Sequence, residues 1–211
     1  MTIELNIFTN CTASAPDTAI IFQTINSFFN TFRKMPFTIY MDVNPNSHRA
    51  NEYFNRLQTI PNATIIKTNS LSDGYIKSIK ESTSDYLFQL EHDWIFSNNI
   101  THSRKQMTEF MSVTGCYHFR FNKRSNIIAG WDRRMDESEF MGLKYCSCNN
   151  MSNNPHIIDR RYYEKNMLNK IKLKSGSKGI EEELNKHNLT TCIYGGAGYE
   201  NTITHLDGKH S

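Results

Sequence analysis

The sequence predicts an α/β domain: a mainly parallel central sheet flanked by helices. Three observations carry this reading. Over residues 3–121, short runs rich in β-branched and aromatic residues alternate with helical patterns of about ten residues. Several of the joins are short and hold Pro, Asn, Asp or Ser. Polar residues also arrive repeatedly at strand carboxyl ends, the edge at which open α/β sheets bind ligands.

Residues 3–10, IELNIFTN, read as the first strand, ending in Thr9 and Asn10. Residues 16–34 read as an amphipathic helix with Pro16 and Asp17 in its first turn. FTIYMDV, 37–43, is a second strand that stops at Asp42 with NPNS behind it. Residues 48–60 form a helix ended by Pro61, and ATIIKT, 63–68, is a third strand. Residues 72–82 are a helix opened by Ser72 and Asp73. DYLFQL, 85–90, is the fourth strand, followed by a helix over 104–113 and a strand over 116–121. Beyond residue 122 the alternation breaks down. Residues 157–172 and 179–188 look helical, 190–196 a last strand and 197–211 a polar tail. There is no linker, repeat or low-complexity tract. Residues 1–211 therefore read as one domain, a ligand-binding half over 1–122 and a less regular half over 123–211.

Composition bounds the function. The formal net charge of +3 is spread along the chain without a basic stripe, which argues against nucleic acid. The five cysteines are irregularly spaced, and Cys146-Ser147-Cys148 is too tight for a zinc pair. They read as free thiols in a reducing compartment. The amino terminus lacks a basic region followed by an apolar one, and no run reaches the roughly 18 apolar residues of a membrane span. The expectation is a cytoplasmic protein, not secreted, without a membrane span.

The informative stretch is DYLFQLEHDWIF, 85–96, where Glu91, His92 and Asp93 separate two apolar blocks. Carboxylates one residue apart share a side if the strand stays extended. Such oxygen ligands suit magnesium or manganese. A solvated strand end is the plainer alternative.

LEHDWIF resembles the Asp-x-Asp motif of GT-A glycosyltransferases, with Glu91 in the first place. Residues 70–93 are similar to that superfamily's helix-then-strand approach to its metal. NNPHIIDRRYYEK, 153–165, resembles the acceptor-side segment, and GIEEEL, 179–184, the Glu-Asp motif. THLDGKHS, 204–211, is similar to the C-terminal histidine segment. Within the superfamily the chain most resembles the N-terminal domain of a chlorella-virus multidomain protein of capsid glycan assembly. There are departures: Glu91 replaces Asp, Lys77 and Lys80 stand nearest to where an Arg is frequent, and Glu183 adjoins the Glu181-Glu182 pair.

The resemblance implies a GT-A-like, Rossmann-like fold with an acceptor-side second half. It implies a UDP-sugar donor of the glucose or rhamnose class, a glycan acceptor (a viral capsid glycan) and manganese or magnesium. Further domains would follow C-terminally, in host cytoplasm. Asp93, Glu91 and His205 become metal ligands, with His210 a lesser choice. Thr9 and Asp42 would meet the base or ribose. Asp73 would accept from a ribose hydroxyl or only cap its helix, and Lys77 would reach a phosphate or only solvent. If the enzyme inverts, Glu182 is the family-matched base, then Glu181, then Asp159. Trp94, Trp131 and Tyr199 could face sugar rings. Two other classes compete. A metal-dependent nuclease or phosphohydrolase needs further carboxylates for a second ion. A non-catalytic nucleotide-sugar-binding module has no need of Glu182.

Overall fold

The computed structural model describes residues 1–11, 18–43, 49–126, 136–169, 171, 180–187 and 189–206. The first half alternates as expected: β1 (Ile3–Asn10), α1 (Ala19–Phe32), β2 (Phe37–Asp42), α2 (Ala50–Leu57), β3 (Ala63–Thr68), α3 (Leu71–Glu81) and β4 (Tyr86–Glu91). Then come β5 (Trp94–Phe96), α4 (Arg104–Thr114), β6 (His118–Arg120), β7 (Asp136–Phe140), β8 (Leu143–Cys148) and β9 (His156–Asp159). The chain continues through α5 (Arg160–Asn166), α6 (Ile180–Leu184), β10 (Thr191–Tyr194) and β11 (Ile203–His205).

Nine strands form one sheet in the order β3-β2-β1-β4-β9-β6-β10-β8-β7, and β11 pairs with β5 apart from it. Across β3-β2-β1-β4 every pairing is parallel. Beyond β4 only β9 and β8 run against the rest, so seven of the nine strands point one way.

Strand alternation sorts the core into two layers. Leu5, Ile7, Phe88 and Leu90 face Phe28, Phe32, Leu57 and Phe110 of α1, α2 and α4. Phe28 meets Phe88 edge-on at 4.9 Å and lies tilted by 44° against Phe32 at 5.0 Å. Each such buried ring stabilises by roughly 1.5–3 kcal/mol, and each aromatic pair adds about 1 kcal/mol. On the other face Phe8, Tyr40, Leu87 and Ile158 pack on Tyr75, Ile79, Tyr163 and Leu184 of α3, α5 and α6.

The helix ends follow capping chemistry. Ser70 caps α3 by accepting the Asp73 N–H at 3.0 Å, so the helix opens one residue before the expected Ser72. Ser103 and Gln106 form a capping box on α4, and Gly115 closes that helix at φ 71°. Gly74 lets the first turn of α3 lie close on the sheet, because a Cβ there would sit 3.0 Å from Tyr40 Cβ.

Three expectations change. Residues 157–172 are not one helix. The short apolar run His156, Ile157, Ile158 is buried between β4 and β6 as β9, and a run that short does not distinguish helix from strand by period. The tail is not merely polar, since Ile203–His205 pairs with Trp94–Phe96. Residues 136–148 hold a hairpin whose outer strand, DESEF, keeps charge on the sheet edge. The five cysteines are all buried, and none is in a disulfide, as the reading of them as thiols expects.

A buried polar pair links the sheet to α3 and α5. His118 Nδ1 lies 2.7 Å from Tyr163 Oη, His156 Nε2 lies 3.0 Å from Tyr75 Oη, and the two imidazoles stack at 4.3 Å. Burial lowers the His156 pKa to about 4 from 6.5, and burial also holds His118 well below its ordinary value. A histidine depressed in the folded state is protonated preferentially by the unfolded chain. Stability is therefore full above pH 6.5 and falls as pH drops toward 4. His156 alone should cost about 2 kcal/mol by pH 5. Urea denaturation at pH 7.5 and 5 checks this: His156→Gln should flatten the slope, and an unchanged slope in that variant would exclude the histidine.

Candidate active site

Glu91 ends β4, and the chain turns through His92 and Asp93 into β5. The turn is held from α1. Thr24 Oγ1 donates to the His92 carbonyl at 2.5 Å and accepts the Trp94 N–H at 3.2 Å. Ser27 Oγ accepts the Phe96 N–H at 3.3 Å. Two polar residues on an otherwise apolar helix face thus satisfy the backbone beside the motif.

Asp93 is 8% exposed. Its Oδ2 lies 3.1 Å from His205 Nε2, and its carbonyl accepts the Leu206 N–H at 2.8 Å. The β5–β11 pairing sets Trp94 opposite His205, with the rings 4.5 Å apart. Asp93 Oδ1 is buried without a hydrogen-bond partner. An unmet buried carboxylate oxygen is costly, and a cation would satisfy it.

Glu91 does not join this pair. The turn at His92–Asp93 ends the extended geometry, and Glu91 lines a small pocket on the α3 side with Phe8, Tyr75, Gln89 and His156. Among the described residues no three His, Cys, Asp or Glu side chains are grouped to hold a metal. Asp93 and His205 fit the protein half of a magnesium or manganese site, which ordinarily draws further ligands from substrate phosphates. His210 and Trp131 lie outside the described residues.

The catalytic candidates separate. The Asn153 N–H donates to Glu181 Oε2 at 3.2 Å, and Asn153 lines the same pocket as Glu91. Glu182 is exposed on α6, and Glu183 pairs with Lys186. Asp159 leaves the candidate set. It caps α5 by accepting the Tyr162 N–H at 2.9 Å and sits opposite Tyr86, where β4 begins. Glu91 lies five residues further along the strand, about 17 Å away.

The nucleotide candidates also divide. Thr9 is buried on the α2 face, where its hydroxyl meets Tyr53 Oη at 2.6 Å, so the alternation of β1 turns that side chain inward. Asp42 is half-buried at the end of β2 between Asn10 and Thr68, and burial raises its carboxyl pKa. Asp73 is half-buried in the first turn of α3, its Oδ2 accepting the Asn69 N–H at 3.0 Å. One turn on, Lys77 reaches forward along the helix to Glu81 at 3.8 Å. Trp94 is core, and the Tyr199 hydroxyl donates to the Asn99 carbonyl at 2.6 Å.

A second concavity, about 850 Å³ and lined by Arg33, Phe37, Thr64 and Arg104, opens at the amino-terminal edge of β1–β3. It is the roomier of the two. Asp42, Glu91 and Asp93 stand at or just past the ends of β2 and β4, at the opposite edge.

No protein-family model and no curated protein matches the sequence. Solved structures do. S. aureus TarS is 10% identical with a TM-score of 0.58, over 98% of this chain and 37% of that one. TarS 1–349 in complex with UDP-GlcNAc is 11% identical with a TM-score of 0.57, over 100% of this chain and 60% of that one. The complex of TarS 1–349 with UDP is 12% identical with a TM-score of 0.56, over 98% and 60%. The chain thus spans 37% to 60% of the TarS chains it matches. At such identities the likeness is one of architecture, and the fold of this chain is GT-A-like.

Proposed function

We propose that the chain is a glycosyltransferase that moves a hexose or deoxyhexose from a UDP-sugar to a glycan acceptor with a divalent cation. One observation carries this reading: Glu91, the Asp93–His205 pair and Glu181 border the carboxyl end of β4 in a GT-A-like fold. TarS, solved with UDP-GlcNAc and with UDP, supports a uridine diphosphate donor.

Each residue then has a physical task. Asp42 and Asp73 accept from base or ribose. Asp93 and His205 hold manganese or magnesium, and bound there the ion would offset charge on the departing diphosphate. Glu91 faces the transferred sugar. Glu181 takes the acceptor hydroxyl proton if the anomeric centre inverts. A viral capsid glycan as acceptor and further C-terminal domains rest on the sequence resemblance alone.

A thermal-shift panel tests the reading: UDP, UDP-glucose, UDP-GlcNAc and UDP-rhamnose, each with and without manganese. A ligand at a hundredfold excess over its dissociation constant stabilises by about 2.7 kcal/mol, and no shift with any of the four would overturn it. Asp42→Ala should weaken UDP and UDP-sugar alike by about 1–3 kcal/mol, one hydrogen bond left unmade. Unchanged UDP affinity in calorimetry would remove Asp42 from the nucleotide site.

A further inference from the structure

The small pocket beneath Glu91 is lined by Gln89, Tyr75, His156, Phe8, Asn153 and Ile180, with room of about 20 Å³. That is the space of a single water-sized group. Its polar atoms have assignable roles. Ser78 Oγ donates to the Tyr75 carbonyl at 2.7 Å, so toward Gln89 it can only accept. Gln89 therefore presents its amide nitrogen to Ser78, at 3.0 Å, and its Oε1 remains buried with no partner. The Asn154 carbonyl, 2.7 Å from His156 Nδ1, can likewise only accept. Nδ1 carries the proton, and Nε2 receives the Tyr75 hydroxyl hydrogen. The Tyr75 oxygen already accepts from the Tyr163 hydroxyl, so the acceptors the pocket offers are Gln89 Oε1 and, at its mouth, Glu91. With His156 neutral, none of these residues brings a positive charge to the pocket.

We infer that this pocket takes one hydroxyl group of the transferred sugar, anchored by donation to Gln89 Oε1, and that Gln89 is a specificity-determining residue for the donor. The inference rests on the proposed use of a UDP-sugar. A hydroxyl matches both the volume and the missing donor. A donor lacking that hydroxyl would leave Gln89 Oε1 unmet in a dry pocket, the situation in which a polar site discriminates most strongly. The competing partner is Asn6, opposite Gln89 across β1–β4, whose amide atoms are also buried without partners.

Calorimetry decides. Of UDP-glucose, UDP-GlcNAc and UDP-rhamnose, the tightest binder is compared with UDP and with its own monodeoxy analogues. One analogue should bind the wild-type protein about tenfold or more weakly, the loss expected for one unmade hydrogen bond. Gln89→Leu should weaken the parent donor by a similar factor and leave UDP and that one analogue bound as before. If Gln89→Leu keeps the wild-type ratio between UDP-sugar and UDP, Asn6 satisfies Gln89 and the inference falls while the proposed function stands. Should that variant not fold, the deoxy series on the wild-type protein decides, and equal affinities throughout overturn the inference. If the wild-type protein binds neither UDP nor any UDP-sugar, the proposed function falls, and this inference with it.

Discussion

Asp93→Asn is expected to lower metal-dependent turnover by about a hundredfold or more and to leave the fold intact. The amide has the shape of the carboxylate and can still accept from His205 Nε2, so the β5–β11 contact survives. What it lacks is charge. The buried Oδ1 has no protein partner, and with the amide oxygen turned to His205 that position holds an NH2 group, which has no lone pair to offer a divalent ion. Stabilising a departing diphosphate is an electrostatic task, and removal of one preorganised stabilising group typically costs a factor of 10² to 10³. Stability should change little, because the hydrogen bond to His205 is kept. The measurements are turnover at saturating manganese and the melting temperature. A folded variant that turns over at near wild-type rate would remove Asp93 from the site.

The first half of the fold was legible because its elements are local. From β1 to β4 each strand and helix carries its own period and its own breakers, and a parallel arrangement follows from alternation alone. β9, β5 and β11 were hidden because each is three or four residues long. Only partners distant in sequence make them strands: Trp94 pairs with His205, and Ile158 lies between Leu87 and His118. The same limit applies to the site. Glu91 and Asp93 announce themselves as carboxylates between apolar blocks, and strand-end position brings in Asp42. The inward turn of Thr9 depends on Tyr53 from α2, and nothing local to Thr9 indicates it. Gln89 carried a faint signal, as a lone amide in the otherwise apolar YLFQL. Its meaning depends on Ser78 and Tyr75, which α3 supplies. His156 and Asn153 gave none: they lie just ahead of the 157–172 run that reads as helical, and nothing local to them indicates β9.

Of the three glutamates of GIEEEL the resemblance favours Glu182, whereas the geometry of α6 favours Glu181. Glu181 accepts the Asn153 N–H at 3.2 Å beside the pocket that Glu91 lines, whereas Glu182 is exposed. If the reaction inverts, Glu181→Gln should lower turnover by about a hundredfold or more, the usual contribution of a general base. Glu182→Gln should change it little. Donor affinity should hold in both variants, because a base acts in the transition state and hardly in the ground state. The backbone bond from Asn153 survives the substitution, since the glutamine carbonyl can take the place of Oε2, so lost turnover cannot be ascribed to a displaced helix. Calorimetry with donor, transfer rate with acceptor and the anomeric configuration of the product by NMR separate the cases. An inverted product made at full speed by Glu181→Gln, together with a slow Glu182→Gln enzyme, would return the role to Glu182 and require α6 to turn when acceptor binds. A retained anomeric configuration would remove the need for a base altogether, and Glu181 would then serve to hold the acceptor hydroxyl against the sugar rather than to deprotonate it.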